Sequence, residues 1–592
     1  MILAKYFSSD AVLSLTKDQA RVVRFADGYN LVCALPGSGK THTNMEVCRQ
    51  ILTANSSYEV IMVTFTNAAA GEMRTRLSKK LPARLASRVK VGTFHSLALE
   101  QYKQIRQPKL LIGPEQSNVI IRAMRLSGYD GKFEDGVAAI EHFGAMLRPL
   151  PKSGRSGDWA LYEAYQKIVK SLGKQDFNMI FRAVRLGMEL GDIQPFGQSH
   201  LLVDEFQDTD NVQYAWIRKH GQSGTKITVV GDDDQAIYGW RGSKGYEVMQ
   251  MFQTDFDAVG HVLSTCFRCR PEVLLASKKV IEFNTERVAK PMTAKLKPGG
   301  TVSIKGFADQ DKQAEGVVSL VQQEGQWAII ARNNSHLDYI EGVLRAHGIA
   351  AARLGGKSFW DNPEANCFLK LLHCLRFPQS TNYLNEVLGW LEEDEDTIAA
   401  ICRDAKRYKG FGHVKESSRG DWRPTTTRFQ QYWERIARNT EDGDMISKRM
   451  KTLVNWCREA KGGEVDQGLG RAAAIADLIA RNAEGSLHER IDGLLTVLSR
   501  QQSTDKKENA ARVTIATLHS SKGLEFENVI IANCNKGTLP SDKSDVVSEE
   551  RRLLYVGMTR AIEQLHICYY KQMSPFLEEA FSTDDSDDAP DQ

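Results

Sequence analysis

Short apolar runs punctuate the chain, and each leads into a longer stretch in which apolar positions recur with helical spacing. Leu31-Val32-Cys33, Ile61-Met62-Val63, Leu201-Leu202-Val203, Ile227-Thr228-Val229-Val230, Ala328-Ile329-Ile330, Val513-Thr514-Ile515 and Val529-Ile530-Ile531 are the clearest of these runs. Continuous apolar runs suit strands buried on both faces, so their alternation with helical segments predicts an α/β fold with parallel sheets. Two blocks break the alternation. Residues 101–193 are helical in pattern and aromatic-rich, as in Leu161-Tyr162-Glu163-Ala164-Tyr165, and residues 376–505 carry charged faces such as Lys448-Arg449-Met450-Lys451. Both read as helical insertions into α/β domains.

A chain of 592 residues is too long for one core, and at about 100 to 200 residues per domain it implies roughly three to five domains. No stretch approaches the roughly 18 apolar residues of a membrane span, and the start Met1-Ile2-Leu3-Ala4-Lys5-Tyr6 lacks a charged segment followed by a long apolar one, so a cytoplasmic protein is expected. The ten cysteines show no repeating framework, which fits reduced thiols. Cys266 and Cys269 are the close pair, but further ligands for a metal are not evident nearby. The net charge of +3 conceals an acidic end, because Asp584, Asp585, Asp587, Asp588 and Asp591 all fall in the last nine residues and setting them aside leaves +8. That balance is compatible with a nucleic-acid partner without requiring one, and the polar, acidic tail is expected to be disordered.

The candidate chemistry begins where the first apolar run ends. Ala34-Leu35-Pro36-Gly37-Ser38-Gly39-Lys40-Thr41 is a phosphate-binding loop, in which small residues let successive backbone N–H groups converge on phosphates. Lys40 then reaches the terminal phosphates and the Thr41 hydroxyl is placed to ligate Mg2+. Leu201-Leu202-Val203-Asp204-Glu205 is a buried strand ending in two carboxylates. Asp204 can hold the metal's hydration shell while Glu205 orients and deprotonates a water. An isolated Asp-Glu pair would read as an acidic turn, and the loop at 34–41 reverses that preference.

The run Asp204-Glu205-Phe206-Gln207-Asp208-Thr209, followed by Val230-Gly231-Asp232-Asp233-Asp234-Gln235-Ala236-Ile237-Tyr238-Gly239-Trp240-Arg241-Gly242-Ser243, resembles the UvrD/Rep/PcrA family of superfamily 1A DNA helicases. The likeness extends across nearly the whole chain. Leu15-Thr16-Lys17-Asp18-Gln19 is similar to the family's Q motif, Val63 to Met73 to motif Ia, Gly92-Thr93-Phe94-His95-Ser96 to motif Ib, and Cys266-Phe267-Arg268 to motif IV. Thr517 to Phe526 is similar to motif V and Glu550 to Ala561 to motif VI. The resemblance implies two RecA-like P-loop NTPase domains, each with a mostly helical insertion, and a nucleotide cleft between them. It assigns residues 1–100 and 194–277 to domain 1A, 101–193 to insertion 1B, 278–375 and 506–575 to domain 2A, 376–505 to insertion 2B and 576–592 to a disordered acidic tail.

The same resemblance implies a role for each matched residue. Gln19 reads the adenine edge, Phe267 stacks on the base, Glu525 contacts the ribose, and Ala34 to Thr41 with His42 complete the nucleotide site. Gln235 reports the γ-phosphate, and Arg268 and Arg560 neutralise charge developing on it as arginine fingers do. Phe65, Phe94, His95, Tyr238, Trp240, Arg241 and His519 face single-stranded DNA, where aromatic rings stack on bases. For any one of these aromatics taken alone, core packing is the better expectation, and Trp240 is the exception because Gly239, Arg241 and Gly242 flank it.

Some positions depart from the family. His42 stands where relatives carry an arginine that packs on the base, and Ala68 stands where motif Ia has a lysine, which predicts a weaker salt dependence of DNA binding. Cys266-Phe267 replaces the usual Asn-Tyr, so stacking survives and a hydroxyl is lost. The second insertion is short against the family, which leaves regulation as the least transferable property, and no appended nuclease is expected after motif VI. The reading is an ATP- and Mg2+-dependent helicase, monomeric when free, that moves 3′-to-5′ on single-stranded DNA and unwinds ss/dsDNA junctions, with protein partners meeting insertion 2B or the tail. The alternatives are a motor subunit of a phage-defence or recombination complex acting with a separate nuclease, and a catalytically inactive DNA-binding homologue.

Overall fold

The computed structural model describes residues 15–148, 157–355, 363–377, 381, 383–415, 422–460, 469–481, 484–505, 512–542, 544 and 546–582. The chain divides into two compact units, Met1–Gly299 with Asp545–Tyr555 and Gly300–Ser544 with Val556–Gln592.

The first unit is built on strands β1 (Asn30–Ala34), β2 (Val60–Thr64), β3 (Val89–Thr93), β4 (His200–Val203), β5 (Lys226–Gly231) and β6 (Val259–Leu263). They lie in the order β3-β2-β4-β5-β1-β6, and every neighbouring pair is parallel. Successive side chains of β1 go to opposite faces, as the pleat requires. Leu31 and Cys33 join a core with Phe94, Trp216 and Phe252, while Val32 and Ala34 join one with Met45, Ile51 and Leu77 on the other side. Both faces are covered, which is why these strands read as unbroken apolar runs. A short parallel pair, β7 (Thr265–Cys266) and β8 (Thr293–Ala294), follows. Between β3 and β4 the helices Gly113–Ser127, Phe133–Gly144 and Asp158–Ser171 enclose a core of their own around Val119, Ile140, Leu161 and Tyr165. The helix Phe177–Leu190 instead buries Phe181 and Val184 against the sheet-side core.

The second unit carries β9 (Thr301–Phe307), β10 (Trp327–Ala331), β11 (Ala351–Leu354), β12 (Val513–Thr517), β13 (Phe526–Ala532) and β14 (Ala561–Tyr570) in the order β11-β12-β10-β13-β14-β9. Its pairs are again all parallel. The helices from Pro363–Arg376 to Leu487–Asp505 share a separate core that includes Phe368, Leu371, Phe429, Trp433 and Trp456. The expected α/β class with parallel sheets and helical insertions is the observed one.

One expectation needs correction. The tail was expected to be disordered from residue 576, but Pro575–Phe581 is a helix with Phe576 and Leu577 buried. Apolar residues here give a short helix something to bury, which the acidic composition further on concealed. The aspartates at 584–591 and the first fourteen residues lie outside the described residues. Among the described residues no helix is long and apolar enough to cross a membrane.

Candidate nucleotide and nucleic-acid site

The phosphate loop starts where β1 ends and delivers the chain into the helix Lys40–Ala54. Gly37 and Gly39 both have positive φ, +68° and +81°, so each needs the conformational freedom of glycine. Ser38 is pinned from two sides. Its hydroxyl donates to the Leu35 carbonyl at 2.8 Å, and its own carbonyl accepts from Gln19 Nε2 at 3.1 Å. Gln19 is held by a capping box with Thr16 at the start of the helix Lys17–Arg24. The structure thus brings Gln19 against the loop. His42 lies one helical position beyond Thr41, and its Nδ1 is 2.8 Å from Lys80 Nζ. Burial, followed by the Lys80 charge, lowers the His42 pKa. An ammonium can only donate, so neutral His42 accepts at Nδ1 and carries its proton on Nε2.

Motif IV closes over the same loop from within the first unit. The Phe267 N–H donates to the Gly37 carbonyl at 2.8 Å. A Cβ placed on Gly37 would lie 2.5 Å from the Arg268 Cβ. Gly37→Ala therefore combines backbone strain with a clash. Strain of this kind costs about 1–3 kcal/mol, so the dissociation constant for ATP is expected to rise at least about fivefold. Titration with a fluorescent nucleotide measures it, and parental affinity would contradict the packing of Arg268 on the loop.

The paired carboxylates sit at the end of β4, beside the loop. Lys40 Nζ lies 3.3 Å from Glu205 Oε2, which also accepts from Gln207 Nε2 at 2.7 Å. Glu205 has φ of +50°, an uncommon value for a residue with a Cβ. That conformation turns its side chain toward Lys40 and Gln207. Asp204 is buried and accepts from the Glu205 N–H at 3.0 Å. Burial, and then the Glu205 charge, push the Asp204 carboxyl up to about 7. A buried acid beside a second carboxylate is short of positive charge, and that is the environment a divalent cation relieves. The donor set of Thr41 hydroxyl and Asp204 carboxylate, all oxygen, fits Mg2+.

Gln235 closes a three-residue turn after β5, and its Nε2 donates to Asp232 Oδ2 at 2.5 Å. The Asp232 N–H in turn donates to Gln207 Oε1 at 2.9 Å. Gln207 therefore joins the carboxylate of Glu205 to the loop that carries Gln235. Its position inside the Asp204–Thr209 run made it visible in the sequence, but nothing there showed this link.

The residues expected to meet DNA separate into two groups. Trp240 is 41% exposed, stands 6.5 Å from the Tyr238 ring centroid and has the Arg241 guanidinium 4.5 Å over its face. Arg241 is anchored to Glu141 of the helix Phe133–Gly144 at 2.9 Å. Tyr238 is half-buried and its pKa is pushed up to about 12, mainly by burial. Phe65 is half-buried, edge-on to Phe94 at 5.2 Å. Phe94 is a correction. It is 1% exposed and packs edge-on against Phe181 and Trp216, so it offers no ring face for a base and supports Phe65 from behind. His95 faces Asn178 Oδ1 at 3.3 Å, and burial lowers its pKa.

The remaining candidates belong to the second unit. Arg560 is buried, its Nε donating to the Val556 carbonyl at 2.8 Å and its Nη1 to the Leu524 carbonyl at 3.1 Å. This sets Arg560 beside Glu525, while His519 is half-buried in the turn after β12.

A phosphate loop, a strand-end pair of carboxylates and two parallel six-stranded sheets define a P-loop NTPase built from two RecA-like units. Residues 19–241 match the family model of an AAA domain, and residues 411–572 match that of the UvrD-like helicase C-terminal domain. The chain is 28% identical to DNA helicase II of Salmonella typhimurium, with 94% of this chain and 84% of that protein covered. It is 27% identical to the ATP-dependent DNA helicase Rep of Buchnera aphidicola, with 94% and 93% covered, and 25% identical to the ATP-dependent DNA helicase PcrA of Staphylococcus epidermidis, with 94% and 83% covered. Together these matches support a UvrD-like superfamily 1A helicase that uses ATP.

Proposed function

We propose that this protein hydrolyses ATP to move 3′-to-5′ along single-stranded DNA and to separate duplex at ss/dsDNA junctions, as a monomer in the cytoplasm. The observation that carries this reading is a hydrogen-bonded path inside the first unit. It runs from Lys40 through Glu205 and Gln207 to Asp232 and Gln235, and the loop it reaches continues directly into exposed Trp240. Phosphate chemistry and a stacking platform are thus parts of one connected segment.

In this reading Gln19, His42, Phe267 and Glu525 hold the nucleoside and residues 34–41 cradle the phosphates. Thr41 and Asp204 hold Mg2+, which neutralises phosphate charge when bound. Glu205 takes the proton of the attacking water, Gln235 registers the γ-phosphate, and Arg268 and Arg560 answer the charge developing on it. Phe65, His95, Tyr238, Trp240, Arg241 and His519 contact the strand. Residues 101–193 and 376–505 serve as insertions 1B and 2B.

The direct test is strand displacement with ATP on 3′-tailed, 5′-tailed and forked duplexes. Displacement from 3′-tailed and forked substrates supports the reading, and displacement from 5′-tailed duplex alone overturns the polarity. Trp240→Ala is expected to lose unwinding while nucleotide binding stays, because stacking contributes about 1–3 kcal/mol per base. Parental unwinding by that variant would remove Trp240 from the DNA path.

A further inference from the structure

Three consecutive aspartates, Asp232, Asp233 and Asp234, are completely buried. Their carboxylate oxygens lie within 4.8 Å of one another, a spacing that would suit a metal ion. The centre of the group is taken by Lys290 instead. Its Nζ is 2.8 Å from Asp232 Oδ1, 2.5 Å from Asp233 Oδ1 and 3.0 Å from Asp234 Oδ2, and its side chain is fully buried. Arg287 adds a bidentate pair to Asp234 at 2.8 and 2.7 Å, and the Val288 N–H donates to Asp233 Oδ2 at 2.6 Å. A short segment after the helix Pro271–Ile281 therefore supplies the positive charge that the aspartates require.

One carboxylate in this cluster has two tasks. Asp232 Oδ1 accepts from Lys290, while Oδ2 accepts from Gln235 Nε2. We infer that Lys290 is a positioning residue for Gln235, acting through Asp232, whose carboxylate it holds by Oδ1 so that Oδ2 stays aimed at the Gln235 amide. Removing the ammonium takes away the cation that lies between the three carboxylates. Asp232 then loses the contact that fixes its orientation, and the hold on the Gln235 amide is lost. The same carboxylate's residue is linked to Gln207 and so to Glu205, so Lys290 is set to affect turnover without touching ATP.

The inference rests on the ATPase reading above, and the experiment separates the two. ATP hydrolysis with and without oligo(dT) is measured for the parent and for Lys290→Gln, with turnover expressed per nucleotide-binding site titrated with fluorescent ADP, so that unfolded protein does not count. DNA-stimulated kcat is expected to fall roughly tenfold to hundredfold, the scale of a misplaced catalytic contact, while KM for ATP stays near the parent's. The double variant Asp233→Asn/Lys290→Gln removes one negative charge with the positive one. It is expected to recover thermal stability but not kcat. Parental kcat per site in either variant overturns the inference, since a merely structural ion pair would be restored by rebalancing the charge. A parent without DNA-stimulated hydrolysis would instead overturn the ATPase reading.

Discussion

Glu205→Gln is expected to bind ATP and DNA and to hydrolyse almost nothing. The substitution keeps the shape of a side chain whose Oε2 accepts from Gln207 Nε2 at 2.7 Å and faces Lys40 Nζ at 3.3 Å. It removes the carboxylate proposed to take a proton from water. A positioned general base contributes about 10²–10⁴-fold, so single-turnover hydrolysis on single-stranded DNA should drop by that factor. Nucleotide affinity should hold or rise, because Lys40 is no longer engaged by a carboxylate. Turnover near that of the parent would mean that another group activates the water, and Asp204 would be the residue to examine next.

Arg268→Ala should have a comparable effect by a different route. Arg268 packs on Gly37, the turn of the phosphate loop, and the adjoining Phe267 N–H is bonded to the Gly37 carbonyl. That backbone contact survives truncation of the side chain, so the loop keeps its form and the nucleotide its seat. What is lost is the planar cation proposed to meet the transferring phosphoryl group, for which arginine fingers give about 10³–10⁵-fold in kcat. Arg268→Lys is expected to recover little, since an ammonium does not reproduce the guanidinium fork. A variant whose KM rises while kcat is unchanged would make Arg268 a ground-state contact.

The features legible in the sequence are those whose signal is local. β1 and β4 are buried on both faces and so appear as apolar runs, and each ends in the residues that carry chemistry, which is why residues 34–41 and Asp204-Glu205 could be found without a structure. Phe94 was misjudged for the reason that local reading fails. Its motif says that an aromatic belongs near the strand, but only the packing of Phe181 and Trp216 around it shows which of Phe65 and Phe94 presents a ring. Lys290 was invisible for a related reason. A single lysine 58 residues from Asp232 has no periodicity or spacing to mark it, and its role exists only because the fold carries it into a buried acidic cluster. His42 lies between these cases. The departure from arginine was plain, whereas its pairing with Lys80 required coordinates.

The contact between Lys40 and Glu205 has one more consequence. As the site stands, the residue proposed to bind phosphate and the residue proposed to attack it through water are spent on each other, the lysine screening the carboxylate. A ligand whose phosphates draw Lys40 away releases the Glu205 carboxylate from this ion pair at the moment the molecule on which it is proposed to act arrives. In the proposed reading the pair is an interlock: a loose water meets a safety catch, and the catch is lifted by ATP itself.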